Sequence, residues 1–321
     1  MSDRRPADDG GPVELVAVPA RVPVSAPVSA TVRARVRDAT LGHLNECLPF
    51  SMVDGPGNRF VLFLQGCNFD CIACHNPYTI NSCSGCGLCV DACPTGALLV
   101  NAGAPPRLDP ARCTDCDACI DVCVESSTPL STYVSVEQVI EQIRTVAPFL
   151  SGVTVSGGES TQQPAFVRAL FEAIRSDAEL AHLTTFVDTN GSAPRSVWDE
   201  LAPVTDGVMV DLKALDPVTH LQMTGVGNEA VLESIRHLAS IGLLHEVRLL
   251  IVPGFNDDTE TIARTGAWLA EVAPRTPVKV IGFRRHGTRP EAADLAEPSA
   301  EQLARLAEIV RAAGLPDVTV I

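Results

Sequence analysis

The sequence predicts an α/β fold: a partial parallel barrel of six strand–helix units, interrupted by a small cysteine-rich insert. Three observations carry this reading. Short, continuously apolar runs recur along the 321 residues, at Phe60–Leu64, Val153–Val155, Thr185–Val187, Val208–Val210, Val247–Val252 and Val278–Ile281. Parallel strands covered on both faces read in this way. The segments between the runs carry helix signatures, and alternating strands and helices make parallel sheets with right-handed crossovers. Residues 81–128 break the rhythm and hold eight of the twelve cysteines.

The elements follow in order. Residues 1–40 read as a disordered tail: Val13–Ser29 repeats Val, Ala, Pro and Ser, and Pro19, Pro23 and Pro27 block helix and sheet pairing. Arg4 and Arg5 precede no apolar segment, so they are not read as an export signal. The barrel spans 41–80 and 129–321, with residues 81–128 inserted between the first strand and its crossover helix. That helix opens on a capping box, Ser135 with Gln138, before the stripe Val136, Val139, Ile140 and Ile143. The last helix repeats the box with Ser299 and Gln302, runs through Leu303, Leu306 and Val310, and stops at Gly314 and Pro316. A further run, Val318–Ile321, closes the chain.

Composition excludes several classes. The chain is 46% apolar and 20% charged, an ordinary globular balance. With 39 acidic and 24 basic residues it carries −15, which disfavours nucleic acid as a partner, since phosphate contacts need clustered Lys and Arg. No run reaches the roughly 18 apolar residues a membrane span needs. Without an apolar signal core near the start, the cysteines read as metal ligands of a cytoplasmic protein, not as disulfides.

The insert repeats one pattern. Cys83-x2-Cys86-x2-Cys89-x3-Cys93-Pro94 is followed by Cys113-x2-Cys116-x2-Cys119-x3-Cys123, with Val124 in place of the proline. This is the spacing of a two-cluster bacterial ferredoxin, where three cysteines of one run and the fourth of the other hold each [4Fe–4S] cluster. The expected sets are Cys83, Cys86, Cys89 with Cys123, and Cys113, Cys116, Cys119 with Cys93. Paired structural zinc sites are the alternative, disfavoured by two complete copies of the four-cysteine pattern. The insert's six acidic residues against Arg107 and Arg112 make it net −4.

A third constellation, Cys67-x3-Cys71-x2-Cys74, follows the first strand and offers three thiols. Three thiolates on a [4Fe–4S] cube leave one iron open, the mark of a reactive metal site. A zinc knuckle completed by His75 is the alternative, and adjacency to Cys74 makes it awkward. Cys47 is left over as a buried free thiol.

The triad resembles the cluster motif of the radical S-adenosylmethionine (radical SAM) superfamily. The string Val53-Asp54-Gly55-Pro56-Gly57 with Cys74-His75-Asn76-Pro77 resembles the pyruvate formate-lyase activating enzymes, and the insert resembles the YjjW-type subgroup of glycyl radical enzyme activators. The fold implied is a partial (β/α)6 radical SAM barrel with a ferredoxin-like 2[4Fe–4S] insert. Every later motif follows a strand, as chemistry at the carboxyl ends of barrel strands requires: Ser156-Gly157-Gly158-Glu159, Asp188-Thr189-Asn190-Gly191, Asp211-Leu212-Lys213, Pro253-Gly254 and Arg284-Arg285-His286-Gly287.

The resemblance implies a role for each. Gly157, Gly158 and Glu159 would receive the methionyl group of S-adenosylmethionine, with Glu159 orienting its ammonium. Asp188, Thr189, Met209 and Asp211 would hold a monovalent cation beside the methionyl carboxylate, and Lys213 would reach a ribose or carboxylate oxygen. His75 adjoins the cofactor. Ala73 stands where the family often has an aromatic residue against adenine, and Arg284 stands where a histidine often ends the sixth strand.

The implied cofactors are three [4Fe–4S] clusters and S-adenosylmethionine. The implied reaction is reductive cleavage to a 5′-deoxyadenosyl radical that takes hydrogen from a glycine of a partner glycyl radical enzyme, with flavodoxin or ferredoxin as reductant. The rival expectations are a radical SAM enzyme acting on a small molecule and a non-catalytic electron carrier. The insert clusters are expected either to relay electrons or to dock a partner.

Overall fold

The computed structural model describes residues 40–321; all of the expected tail but Thr40 lies outside them. β1 (Leu41–Ser51) and β2 (Arg59–Leu64) are followed by a segment with α1 (Leu88–Ala92), the two-residue strands β3 (Leu98–Leu99) and β4 (Arg107–Leu108), and α2 (Ala118–Asp121). β5 (Thr132–Ser135) leads into α3 (Val136–Val146) and β6 (Gly152–Gly157). The chain then alternates: α4 (Pro164–Ser176), β7 (Thr184–Thr189), α5 (Arg195–Leu201), β8 (Gly207–Asp211), α6 (Pro217–Thr224), α7 (Glu229–Ser240) and β9 (Leu244–Ile251). It ends with α8 (Thr259–Val272), β10 (Val278–Gly282), α9 (Ala300–Ala312) and β11 (Val318–Val320).

One nine-stranded sheet runs β11-β10-β9-β8-β7-β6-β2-β1-β5. From β2 to β11 every pairing is parallel. The apolar runs predicted as parallel strands lie in these strands. β1 pairs antiparallel with both β2 and β5, and neither β1 nor β5 was anticipated. Their sequences explain why: His43, Asn45 and Glu46 interrupt the apolar residues of β1, as suits a strand near the sheet edge with one face less covered.

The helices cover the sheet with the faces their periodicity dictates. In α4, Phe166, Leu170, Phe171 and Ile174 are buried; in α9, Leu303, Leu306 and Val310 are. Each such side chain contributes about 1.5–3 kcal/mol by leaving water. The Ser135 box forms in full, the hydroxyl accepting from Gln138 N and the Gln138 side chain from Ser135 N. At α9 only half forms: Ser299 Oγ accepts from Gln302 N, while the Gln302 amide donates to Asp257 Oδ2 at 2.7 Å.

The β1–β2 turn folds back under the sheet. Arg59 is wholly buried and anchors it. Its guanidinium donates to Thr154 Oγ1 (2.6 Å), Val153 O (2.7 Å), Thr184 O and Oγ1 (3.0 Å each) and Pro56 O (3.2 Å), and lies 4.4 Å from the centre of the Phe186 ring. Burial pulls its pKa down to about 10. Thr154 Oγ1 in turn donates to Asp54 O at 2.6 Å. The Asp54-Gly55-Pro56-Gly57 string is therefore held against the amino ends of β6 and β7, and Gly55, at φ 127°, leaves no room for a Cβ beside Arg59 Cδ. Among the described residues no helix is long and apolar enough to cross a membrane.

Candidate functional site

The loop after β2 is closed by backbone bonds. Gly66 N donates to Thr79 O (2.8 Å) and Cys67 N to Ile80 O (2.9 Å), while Asp70 N and Ile72 N donate to Thr224 O (2.9 Å) and Met223 O (3.0 Å) at the end of α6. This fixes three thiols on one wall of a cavity of about 340 Å³. Cys67, Cys71 and Cys74 line it together with Gly157, Gly158, Asp188, Thr189, Asp211 and Lys213. The structure thus brings together residues from four separate stretches of sequence at the carboxyl ends of β2, β6, β7 and β8. Burial pushes the Cys67 thiol up to about 11, Cys71 up to about 12, and Cys74 upward. Lys213 and Arg289 pull Cys74 back down and Asp70 pushes it up. The thiolate is the ligating form, so a bound group must draw these protons off.

Gly157 and Gly158 are glycines because the cluster loop comes too close for anything else. Gly157 has φ 130°, and a Cβ there would strike the Leu64 backbone; a Cβ on Gly158 would meet Gly66 O and, at 2.8 Å, Thr79 O. Glu159 behaves differently from the expectation. It is buried outside the cavity lining. Oε1 accepts from Thr161 Oγ1 (2.6 Å), Thr189 Oγ1 (2.7 Å) and Thr161 N (2.9 Å), and Oε2 accepts from Asn190 N (2.7 Å). Burial raises its pKa, against these donors. The carboxylate thus ties β7's exit loop to β6's, with its four donors supplied by Thr161, Thr189 and Asn190.

The charged wall forms one network. Asp188 accepts from Ser156 Oγ (2.8 Å) and pairs with Arg248 Nη1 (2.9 Å); Asp211 pairs with Lys213 Nζ (2.7 Å). Arg248 also pairs with Glu246 (2.7 Å) and donates to Met209 Sδ (3.1 Å). Burial raises the Asp188 pKa, opposed by Arg248. Burial would also raise Asp211, but Lys213 and Arg248 outweigh it and hold the pKa below the usual carboxylate range. Burial works against the charges of Lys213 and Arg248 too, yet Asp211 carries the first upward, and Asp188 with Asp211 the second. Both cations therefore stay charged.

Part of the lining is apolar. Ala73, Met223, Leu250 and Ile281 contribute to it, and Ala73 packs in a small cluster with Ala214, Met223, Val252 and Phe283. His75 also lines the cavity; its Nε2 lies 2.9 Å from Arg284 O and its ring stacks on Phe283 at 6.1 Å. The Arg284 side chain is exposed and absent from the lining.

In the cysteine-rich segment the two halves repeat one backbone. Gly85 and Gly87 have φ 74° and 85°; their counterparts Asp115 and Asp117 have φ 50° and 57°. Asp is among the few residues that accept the left-handed region, so the second half keeps the turn without glycine. Cys83, Cys86, Cys89 and Cys123 line one small pocket; Cys93, Cys113, Cys116 and Cys119 line another. The Thr95 hydroxyl, 3.6 Å away, pulls Cys93 down to about 7, and burial pushes Cys119 up to about 11. Cys47 is buried in β1 opposite Leu62, and burial pushes it up to about 12. All twelve cysteines are free. Among the described residues no three His, Cys, Asp or Glu side chains converge tightly enough for one metal ion.

Sequence reasoning missed Arg248, Asn190, Arg59 and Arg289. Arg248 had a signal, a charge inside an apolar strand run. Asn190 sits inside a motif already singled out; its amide donates to Asn68 Oδ1 at 3.0 Å, beside Cys67. Arg289 had none, being one of several arginines in a loop.

Fold and site together define a parallel α/β barrel with a three-thiol centre at its strand ends. A family model, the Radical SAM superfamily, matches residues 61–265, and the chain belongs to that superfamily; membership implies a [4Fe–4S] cluster and S-adenosylmethionine. Within it, the chain belongs with the glycyl radical enzyme activating enzymes. It is 34% identical over 266 residues to an isethionate sulfite-lyase activating enzyme of Nitratidesulfovibrio vulgaris, covering 75% of this chain and 83% of that one. It is 28% identical over 255 residues to the pyruvate formate-lyase 1-activating enzyme of Escherichia coli, covering 78% and 83%. A radical SAM methyltransferase from Sphaerobacter thermophilus shares the fold, with TM-score 0.51 at 16% identity over 92% of this chain and 82% of that one.

Proposed function

We propose that the chain activates a glycyl radical enzyme. The observation that carries this is one cavity lined together by Cys67, Cys71 and Cys74, by the apolar Met223, Leu250 and Ile281, and by Asp188 and Asp211, which pair with Arg248 and Lys213. The donor set fits a [4Fe–4S] cluster with one open iron, because Cys67, Cys71 and Cys74 line the cavity together and three thiolates leave one iron of the cube without a protein ligand. With that cluster and S-adenosylmethionine bound, one electron cleaves the cofactor to methionine and a 5′-deoxyadenosyl radical, which takes hydrogen from a glycine of the partner.

The chain's own residues bind, orient and exclude. Gly157 and Gly158 line the cavity and, having no side chain, leave their backbone open to the methionyl moiety. Arg248 and Lys213 offer cationic donors to a carboxylate or ribose oxygen. A monovalent cation at Asp188, Thr189, Met209 and Asp211 would compete with Arg248 and Lys213, which already pair with both aspartates. Ala73, Met223, Leu250 and Ile281 suit the adenine face. Asp54 also borders the cavity. No general acid or base is called for; the residues position the reactants and keep water out.

Residues 81–128 form, in this reading, a two-cluster unit inserted in a barrel of 41–80 and 129–321. The two cysteine quartets match the ferredoxin arrangement ligand for ligand, which brings the total to three clusters, and the left-handed turns repeat between halves. A flavodoxin or ferredoxin would supply electrons. The test is electron paramagnetic resonance of anaerobic mixtures of the reconstituted protein, dithionite and S-adenosylmethionine with isethionate sulfite-lyase or pyruvate formate-lyase. A glycyl radical doublet with any of them is expected. 5′-Deoxyadenosine formation without a radical on any of them would point to a small-molecule substrate instead.

A further inference from the structure

We infer that Arg289 and Asp70 form an ion pair that sets the reduction potential of the triad cluster, with Arg289 as a positioning residue for the triad loop. Asp70 lies inside the triad, between Cys67 and Cys71. Arg289 belongs to the loop after β10, more than two hundred residues away in the chain. Its Nη1 meets Asp70 Oδ1 at 2.7 Å, and its Nη2 donates to the carbonyl of Cys71 at 2.8 Å. One guanidinium thus holds two consecutive residues of the cluster loop, in a forked geometry that lysine cannot reproduce.

The asymmetry of the pair indicates what it does. The Asp70 side chain is 68% exposed and that of Arg289 only 22%. Such a pair adds little to stability, because water screens the exposed partner. Its effect on a nearby charge is larger and is weighted toward Arg289, the less screened member. A cluster gains a negative charge on reduction, and net charge with hydrogen bonding to the cluster surroundings tunes its potential. Arg289 therefore favours the reduced cluster, Asp70 opposes it, and the half-buried cation prevails. Both groups border an open groove that also includes Cys67, Glu125 and Val226, so the pair sits between the triad and solvent, where a docking protein would cover it.

This rests on the triad holding the superfamily's cluster, and the test separates the two claims. The potential of the triad cluster is measured in reconstituted full-length protein by potentiometric titration at low ionic strength. The triad signal is identified as the one that changes when S-adenosylmethionine is added. Arg289→Gln should lower the midpoint, Asp70→Asn should raise it by a smaller amount, and the double variant should fall between the single ones. Arg289→Lys should retain most of the wild-type potential although it loses the fork. Equal midpoints in variants that all keep the triad signal would overturn the inference alone. Shifts of the same sign for Arg289→Gln and Asp70→Asn would do so too. A wild-type protein with no signal that responds to S-adenosylmethionine would overturn the cluster reading and this inference with it.

Discussion

Glu159 Oε2 accepts a hydrogen bond from Asn190 N at 2.7 Å, joining the loops that leave β6 and β7. The same carboxylate takes three further donors from Thr161 and Thr189. The acid of the Ser-Gly-Gly-Glu motif is thus hydrogen-bonded inside the protein, while the two glycines before it line the cavity.

Glu159→Gln should therefore act on stability first. An amide offers one acceptor oxygen in place of two, and leaving a buried donor such as Asn190 N–H unpaired costs about 1–3 kcal/mol. The melting temperature of the unloaded protein should fall by several degrees. An unchanged melting temperature with lost S-adenosylmethionine binding would instead place the carboxylate on the ligand.

Gly158→Ala should cost the triad cluster and spare the insert. The added methyl group would press on Gly66 O and Thr79 O, which are backbone atoms of the triad loop and cannot swing aside. Wild-type protein should hold close to twelve irons, four for each of three clusters, and the variant close to eight. The measurement is iron content with the spectrum of the reduced protein. Twelve irons in the variant would mean that the loop tolerates the shift.

Arg59→Ala should destabilise by about 3 kcal/mol or more, because five hydrogen bonds and their buried acceptors are broken together. Arg59→Lys should recover only part, since an ammonium cannot reach both sides of the turn. Denaturant unfolding at equilibrium reads both. A loss under 1 kcal/mol for the alanine variant would show that the Asp54 loop is held in some other way.

Much of this architecture was legible in the sequence, for a physical reason. Parallel strands are buried on both faces, so each writes itself as an apolar run, and β2, β6, β7, β8, β9 and β10 were all visible. β1 and β5 were not, because an antiparallel strand near an edge mixes His43, Asn45 and Glu46 among its apolar residues. The triad and the two cysteine quartets were legible because ligand spacing is local. Arg289 and Arg59 were not, because their partners are brought to them by the fold. Glu159 was legible as a carboxylate at the site, but its donors Thr189 and Asn190 were not, because the fold brings them to it.

Removing the insert clusters should act on electron supply and not on the chemistry at the triad. In Cys86→Ala with Cys116→Ala, each quartet loses one ligand while the sheet is untouched. Cleavage of S-adenosylmethionine driven by dithionite should partly survive, and cleavage driven by flavodoxin should fall much further. Equal losses with both reductants would assign the insert to docking or structure; full activity with both would make its clusters dispensable.

The central claim is that Cys67, Cys71 and Cys74 carry the cluster that cleaves S-adenosylmethionine. The most direct test is 5′-deoxyadenosine formation by anaerobically reconstituted protein with dithionite, for wild type and for Cys67→Ala, Cys71→Ala and Cys74→Ala. The account predicts product from wild type and none from the three variants, each of which should keep the spectrum of the insert clusters. Full turnover by any one of the variants, or no product from wild-type protein with its iron complete, would contradict it.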